Sequence, residues 1–249
     1  MAAAIRHLRN APITEAIVDF RIVQRKQFAA ETLREAKDRL APTYPICIER
    51  KGTESLVDFA EGRPRGVRSR DLGLQGVWLK TPDEKNIAQF RVDGFTFNRL
   101  KPYTSWDELL PEALKLWRAY VELVKPEAVT RVALRYINHL SLPPAPGDLD
   151  EYLTAGPRLP SSIPQVLNSF SSRVVVQDPE RELSANVTQA LEVGVQSAAP
   201  TLLLDIDAYR TGEFNTDEEE LVPILSALRT YKNLIFFGSL TEKLIKGYE

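Results

Sequence analysis

The chain has 249 residues, is 43% hydrophobic and 27% charged, and carries a formal net charge of −2, which is typical of a soluble globular protein with a sizeable core. A single cysteine, Cys47, excludes an intrachain disulfide and a cysteine-based zinc site, and the acidic balance disfavours sequence-independent binding of duplex DNA. No apolar run of about 18 residues and no apolar stretch of signal-peptide length is present, so we expect a cytoplasmic protein without a membrane partner.

The first half of the chain predicts the order strand, helix, several strands, helix. The first strand, Ile13–Val23, alternates imperfectly but collects its apolar side chains on one face. The elements expected after it are a helix over 28–40, short strands over 46–50 and 55–59 joined by a turn at 51–53, a loop over 61–71, strands over 76–81 and 87–97, and a helix over 105–124. The last helix has the clearest signals, because Ser105 can cap it and acidic residues fill its first turn.

The second half predicts the same order. Its first strand spans 129–140 and includes Thr130-Arg-Val-Ala-Leu134. The elements expected after it are a proline-rich connector over 143–147, a short helix over 148–154, a loop over 157–164, strands over 173–177, 183–196 and 201–209, and a helix capped by Thr216 that ends near Tyr231. The pattern leaves residues 165–171 ambiguous, and it allows either a helix or a strand followed by a helix over 233–248.

Three correspondences indicate that residues 1–125 and 126–249 are two copies of one unit. The matched pairs and their offsets are Thr14 with Thr130 (116), Asp93 with Asp207 (114) and Pro111 with Pro223 (112). Chance similarity between amphipathic elements is the alternative. A strand, helix, antiparallel strands and helix used twice resemble, in element order, the saddle-like fold of the TATA-box-binding protein. We therefore expect an α+β fold of that kind, although a fold alone does not carry function.

Several short motifs resemble an uncharacterised, sporadically distributed bacterial family of about this length. They are Asn10-Ala-Pro-Ile13, Glu15-Ala16, Asp19-Phe-Arg21, Gly94-Phe95, Arg135-Tyr-Ile-Asn138 and Leu204-Asp-Ile-Asp207. The resemblance covers nearly the whole chain and implies no activity, cofactor or catalytic residue. A sporadic distribution is compatible with a role in bacterial defence or on mobile elements.

Two acids of the first strand correspond, under the duplication, to two arginines of its equivalent: Glu15 to Arg131 and Asp19 to Arg135. If the two strands pair antiparallel about a pseudo-dyad, Glu15 faces Arg135 and Asp19 faces Arg131. Such cross-strand pairs contribute roughly 0.2–1 kcal/mol each, so they can form a ladder that holds the halves together. The same face could instead bind an anionic or polar ligand, with Asn138 among the contacts.

The basic cluster of the chain consists of Arg63, Arg65, Arg68 and Arg70. Residues 1–125 hold 22 Lys and Arg against 17 Asp and Glu, whereas residues 126–249 hold 10 against 17, so the first half can present a basic face. Guanidinium groups bind phosphates through paired hydrogen bonds, and arginine-rich segments can become ordered on nucleic acid. The alternative is a solvated loop without a ligand.

Asp205 and Asp207 are two residues apart in a predicted strand, so their side chains point to one face. Such a pair can hold Mg²⁺ or act as acid and base. No third acid has a fixed spacing to them, so a hydrogen-bonded structural pair is favoured and no metal is expected. His139 lacks the Gly-x-Ser-x-Gly context of a hydrolase, and Cys47 lies in an apolar run that indicates a core position.

The favoured function is a non-enzymatic binding protein without a cofactor. It would present a sheet face, or the groove between its halves, to a protein, a peptide or a nucleic acid. The alternative is an enzyme that acts on a phosphate-containing substrate through the arginine cluster and Asp205/Asp207, which requires these groups to converge in one pocket. A homo-oligomer formed through the acidic second half is a third hypothesis.

Overall fold

The computed structural model describes residue 6 and residues 8–60, 62–144, 146–165, 167–192 and 199–249. Within them the chain forms an antiparallel sheet of nine strands and four α-helices, which confirms the predicted α+β class. The strands are β1 (Ile13–Val23), β2 (Ile46–Ala60), β3 (Arg63–Lys80), β4 (Asn86–Arg91), β5 (Gly94–Leu100), β6 (Ala128–Ser141), β7 (Phe170–Asp178), β8 (Leu183–Glu192) and β9 (Thr201–Phe214). The helices are α1 (Glu35–Leu40), α2 (Trp106–Val124), α3 (Glu218–Ser239) and α4 (Glu242–Ile245).

The strand order across the sheet is β2-β3-β4-β5-β1-β6-β9-β8-β7. β1 and β6 lie side by side in the middle and pair antiparallel, as expected for the two first strands. Outward from this pair, β5, β4 and β3 follow β1, whereas β9, β8 and β7 follow β6. The centre of the sheet is therefore built from two stretches that are far apart in the sequence.

The described helices pack against one face of this sheet. The ring centroid of Trp117 in α2 lies 4.5 Å from that of Phe20 in β1 and 5.9 Å from that of Phe95 in β5. Helix α3 packs against β6 and β9, and a cluster of buried apolar side chains runs through both halves of the chain. Alternate side chains of the central strands therefore point to the opposite face. None of the described helices is long and apolar enough to span a membrane.

Helices α2 and α3 begin with the same arrangement. The side chains of Ser105 and Asp217 each accept a hydrogen bond from the backbone N–H three residues later, at 3.2 and 3.0 Å. Pro111 and Pro223 each occupy the sixth position of their helix, where the missing N–H breaks one backbone hydrogen bond. The cap predicted at Ser105 is confirmed, whereas the cap expected at Thr216 lies one residue later.

The largest difference from the sequence prediction concerns residues 46–80. Instead of short strands, a turn at 51–53 and an arginine-rich loop over 61–71, the chain forms two long strands, β2 and β3, which pair from Ile46 and Lys80 to Ala60 and Arg63. β3 pairs with β4 only over Gly76 to Lys80. Residues 51–60 and 63–75, which we call the ribbon, therefore project from the sheet as a two-stranded hairpin.

Other predictions are corrected only in their bounds. Residues 28–40 contain a 3₁₀ turn, Ala30–Arg34, followed by α1, rather than one helix, and such tight turns are common at the start of an α-helix. The strand expected over 87–97 is divided into β4 and β5, and α3 continues well beyond Tyr231. Residues 61, 145, 166 and 193–196, which belong to expected elements, lie outside the described residues.

Candidate functional site

The face of the sheet opposite the helices is polar at its centre. In β1 the side chains of Ala16, Val18 and Phe20 are buried on the helix side, so the intervening residues point the other way. Strand register extends this face to the neighbouring strands. We define the polar face as Glu15, Asp19, Arg21, Arg91, Thr96, Asn98, Arg131, Arg135, Asn186, Asp205 and Asp207.

Asp19 accepts hydrogen bonds from residues of three other strands, the adjacent β5 and β6 and the more distant β4. Its Oδ2 accepts from Arg91 Nη2 at 3.0 Å and from Thr96 Oγ1 at 2.8 Å, and its Oδ1 accepts from Arg131 Nη1 at 3.2 Å. The side chain is only 13% exposed. A carboxylate so withdrawn from water requires charge and hydrogen-bond compensation, and these donors provide it. Asp19 therefore joins β4, β5 and β6 through β1.

Arg131 extends this network to Asp207. Its Nη2 donates to Oδ1 and Oδ2 of Asp207 at 2.7 and 2.8 Å, and its guanidinium carbon lies 4.6 Å from the ring centroid of Tyr209. Asn186 Nδ2 donates to Asp207 Oδ2 at 3.1 Å. A continuous chain of polar contacts thus crosses six strands, from β4 to β8.

A second ion pair lies beside the first. Arg135 Nε and Nη2 donate to the two carboxylate oxygens of Asp205 at 2.8 and 2.6 Å, which is the strong two-bond geometry of arginine and carboxylate. These hydrogen bonds raise the pKa of Arg135, burial opposes them, and the charges of nearby carboxylates add to the rise. Both arginines of β6 therefore have an acidic partner on β9.

A depression of about 490 Å³ opens on the polar face, lined by residues of β1, β4, β5, β6 and β9. Arg21 and Arg135 are its most accessible cations, with side chains 43% exposed. Four arginines and two aspartates line it, and with Glu15 and Asp205 the polar face holds four arginines against four carboxylates, so it offers donors and acceptors but little net charge. It is better suited to holding strands together than to attracting an anion.

The predicted register of β1 and β6 is wrong, although their antiparallel pairing is confirmed. Asp19 lies opposite Ala133 rather than Arg131, and Ile17 rather than Glu15 lies opposite Arg135. From Glu15 to Arg21 the pairing is continuous and displaced by two residues from the predicted alignment. A displacement of two keeps the same side chains on the same face, so alternation in the sequence does not distinguish the two registers.

The contacts of the four predicted charges change accordingly. Asp19 still meets Arg131, but along the diagonal. Glu15 instead accepts a hydrogen bond from Asn98 Nδ2 at 2.6 Å, and Arg135 turns away from β1 to Asp205. One of the two predicted ion pairs is therefore present, and the other is replaced.

Asn138 lies on the helix side of the sheet and not on the polar face. It is 1% exposed, and its Nδ2 donates to the backbone oxygen of Leu204 at 2.9 Å. An amide so deeply buried satisfies its donors within the protein. Its expected place among ligand contacts of the open sheet face is therefore corrected.

The four arginines of the basic cluster lie on the ribbon, in β3. Arg63, Arg65, Arg68 and Arg70 are all exposed. Arg68, whose side chain is 79% exposed, donates from Nε and Nη2 to Asp58 at 3.1 and 2.9 Å. Within the described residues the other three have no carboxylate partner, so the ribbon presents unpaired positive charge.

Asp205 and Asp207 do share one face, as predicted, but arginines occupy both carboxylates. Among the described residues, no group of three or more His, Cys, Asp or Glu side chains is arranged to hold a metal ion. Four strands separate β3 from β9, roughly 24 Å at the usual strand spacing. The structure therefore does not bring this acidic pair together with the basic cluster.

The sequence patterns did not single out Arg91, Thr96 or Asn186. Each is a polar residue at an outward position of a strand, next to buried residues such as Phe90 and Phe95. Alternation marks such outward positions. It does not tell which of them meet across strands, because that depends on register.

The chain matches no protein-family model and no curated protein sequence. Its function is therefore inferred from its own geometry. Two surfaces, the polar face and the ribbon, carry the site residues that the sequence pointed to, apart from the buried Asn138.

Proposed function

We propose that the protein is a non-enzymatic nucleic-acid-binding protein that holds its partner with the ribbon and uses the sheet as a rigid base. The observation that carries this proposal is the projection of a two-stranded, arginine-bearing hairpin beyond the sheet. At ~3.3 Å per residue, ten residues per strand reach on the order of 30 Å. A two-stranded ribbon of this kind fits the major groove of duplex DNA.

The charge and exposure of the ribbon support this partner. The ribbon contains five Lys and Arg against three Asp and Glu, although the chain as a whole is acidic. Three of the four arginines are unpaired within the described residues, and guanidinium groups bind phosphate oxygens in pairs. Leu56 and Val57 are 58% and 44% exposed, and apolar side chains can contact the methyl group of thymine in the major groove.

The polar face supports the second part of the proposal, a rigid base. Its ion pairs are satisfied internally, so it contributes little attraction for phosphate but fixes the central strands against one another. The alternative, an enzyme acting on a phosphate-containing substrate, has less support. It would require Asp205 and Asp207 to leave their arginines, and it would require the distant ribbon to reach them.

We infer as well that residues 1–125 and 126–249 are copies of one unit, arranged like the saddle-like fold of the TATA-box-binding protein. The strand order β1-β5-β4-β3 on one side of the centre and β6-β9-β8-β7 on the other supports this. The matched caps and prolines of α2 and α3 support it too. On this interpretation, β2 and the ribbon are additions to the first copy.

We expect this function to operate in a bacterial cytoplasm. The single cysteine suits a reducing compartment. The resemblance to a sporadically distributed bacterial family favours a defence or mobile-element setting.

The test is fluorescence anisotropy with labelled duplex DNA, single-stranded DNA and RNA over a series of salt concentrations. We expect the wild type to bind and to lose affinity steeply as salt increases. Replacing Arg63, Arg65, Arg68 and Arg70 by Ala should weaken binding at low salt by at least about tenfold. It should also reduce the slope of log K against log salt by about 0.9 for each phosphate of duplex DNA that the variant no longer neutralises.

A matched control removes four exposed cations elsewhere. Lys115, Arg118, Arg158 and Arg181 have side chains that are 54%, 61%, 74% and 68% exposed. Their replacement by Ala should have a much smaller effect on affinity. Equal losses of affinity in the two variants would show that the ribbon is not the specific binding surface. A wild type that binds none of the probes at low salt would also reject the proposal.

A further inference from the structure

A cavity of about 230 Å³ lies on the helix side of the sheet, between the start of α2, the second half of α3 and the beginning of β1. Its walls are largely aromatic, formed by Tyr103, Trp106, Tyr136 and Phe236. At ~30 Å³ per water molecule, this volume equals roughly eight waters. The cavity is therefore large enough for one small organic molecule, and it opens away from the polar face.

Lys232 of α3 projects into this cavity. It is 8% exposed, and its Nζ lies 3.8 Å from the ring centroid of Tyr136. Among the described residues, no carboxylate and no hydrogen-bond acceptor is paired with it. The face of an aromatic ring offsets only part of the cost of burying an ammonium group, so the site has a positive group without a counter-ion.

Two further features make the cavity attractive to an anion. Arg229, one turn before Lys232 on α3, lies over the ring of Trp106 at 5.2 Å and also has no carboxylate partner within the described residues. The first residues of α2, a helix of 19 residues, form another wall. The backbone N–H groups of Trp106 and Asp107 have no acceptor in the described part of the chain, and such helix ends favour negative charge.

We propose that this cavity binds a small organic anion with a flat apolar body, such as an aryl carboxylate or an aryl phosphate. Lys232 and Arg229 contact the anionic group, and the aromatic walls enclose the ring. The hydroxyl groups of Tyr103 and Tyr136 lie 3.0 Å apart and share one hydrogen bond, which leaves acceptor and donor capacity for the ligand. This site is separate from the ribbon and from the polar face.

The other charged groups around the cavity do not neutralise Lys232. Arg6 is held by Glu242 and Glu249, with its Nη1 2.8 Å from Glu242 Oε1. Asp107 lies exposed at the rim. The negative charge nearest to the two α3 cations is therefore expected to come from the ligand.

Binding should be accompanied by uptake of a proton. Burial, assisted by the positive charge of Arg229, lowers the pKa of Lys232 to about 7, so much of the free protein holds a neutral amine at pH 8. An anion beside the amine raises that pKa. Burial raises the pKa of Tyr103 and Tyr136 above their ordinary value, and arginine keeps its proton, so these neighbours do not titrate near pH 8.

The test is isothermal titration calorimetry of the full chain at pH 8, in two buffers with different enthalpies of protonation. The probes are benzoate, phenyl phosphate and benzamide, which has the shape of benzoate but no charge. We expect at least one of the two anions to bind at least tenfold more tightly than benzamide. Binding of that anion should be accompanied by uptake of a proton by the protein. Lys232→Met should weaken that binding about 10–100-fold, the range for a charged hydrogen bond, and abolish proton uptake.

Two further variants complete the test. Arg229→Met should weaken binding of the anion but retain proton uptake, because Lys232 is intact, and it provides a second measurement if Lys232→Met fails to fold. Lys115→Met, which changes an exposed lysine of α2, should leave binding unchanged. The proposal is overturned if neither anion binds more tightly than benzamide, or if a folded Lys232→Met protein binds like the wild type.

Discussion

Arg131 binds Asp207 through one nitrogen, Nη2, which lies 2.7 and 2.8 Å from the two carboxylate oxygens. The two residues are not direct cross-strand neighbours, since Arg135 lies opposite Asp207. Arg131 reaches its partner by lying over the ring of Tyr209. Because its Nη1 also contacts Asp19, this one side chain connects β1 with β9 across β6.

We expect Arg131→Met to lower the free energy of unfolding by about 2 kcal/mol, because it leaves two largely buried carboxylates with fewer donors. A double-mutant cycle with Asp207→Asn should give a coupling energy of about 1–2 kcal/mol in urea unfolding. The exposed pair of Arg158 and Asp150, with side chains 74% and 37% exposed, is the matched control and should show a coupling close to zero. Equal coupling in the two cycles contradicts the role of Arg131 in the network.

Local sequence patterns were sufficient to predict the type and bounds of an element where that element has one buried face. The bounds of β1 were predicted because its apolar residues alternate, and α2 was predicted because Ser105 caps a helical apolar stripe. The ribbon was missed because, apart from Leu74 and Gln75 next to the sheet, its described residues are mostly exposed, so no period of two is imposed on its sequence. Its Gly, Pro and Arg residues then resemble a loop.

The candidate site was predictable as a face but not as a set of contacts. A period of two places Asp205 and Asp207 together, whereas their arginine partners depend on the register of β6 against β9. Lys232 was missed for a different reason. The expected end of α3 at Tyr231 excluded it, although it continues the buried stripe of Leu225 and Leu228 at helical spacing.

The N-terminal caps of the two long helices should contribute similarly to stability. We expect Ser105→Ala and Asp217→Ala each to lower the free energy of unfolding by about 1 kcal/mol, because each leaves a backbone N–H of the first turn without its acceptor. Ser226→Ala is the control, since that hydroxyl only donates to a carbonyl of its own helix, and its effect should stay within about 0.5 kcal/mol. If the two cap substitutions lower the free energy of unfolding no more than Ser226→Ala does, the assigned helix starts are contradicted.

Lys232→Met should remove a pH-dependent contribution to stability. The folded pKa of Lys232 is about 7, whereas an unfolded lysine has a pKa of about 10.4. Between these values the unfolded chain holds a proton that the folded chain lacks, so the free energy of unfolding rises with pH by up to ~1.4 kcal/mol per unit. The cost of burying the charge is therefore greatest below pH 7.

We accordingly expect Lys232→Met to stabilise the protein more at pH 6 than at pH 9, by a difference of about 3 kcal/mol. Urea unfolding at the two pH values measures it, and this range avoids the titration of the buried tyrosines. Lys115→Met, at an exposed position, should change the free energy of unfolding by the same amount at pH 6 and pH 9. The same stabilisation of Lys232→Met at pH 6 and pH 9 would show that the buried amine does not titrate as described.

Shortening the ribbon should separate binding from folding. Gly52 and Gly73 are cross-strand partners, so residues 53–72 can be replaced by Asn-Gly, which closes a two-residue hairpin turn. Those of the removed residues whose burial is described are exposed, and β2 and β3 pair with one another there, so the free energy of unfolding should change by less than about 1 kcal/mol. Binding of labelled DNA should fall at least to the level of the variant without the four arginines. If the shortened chain folds and keeps its affinity for DNA, the binding surface lies on the sheet and not on the ribbon. The shortened chain lacks all four arginines of the basic cluster, so they could not account for the binding.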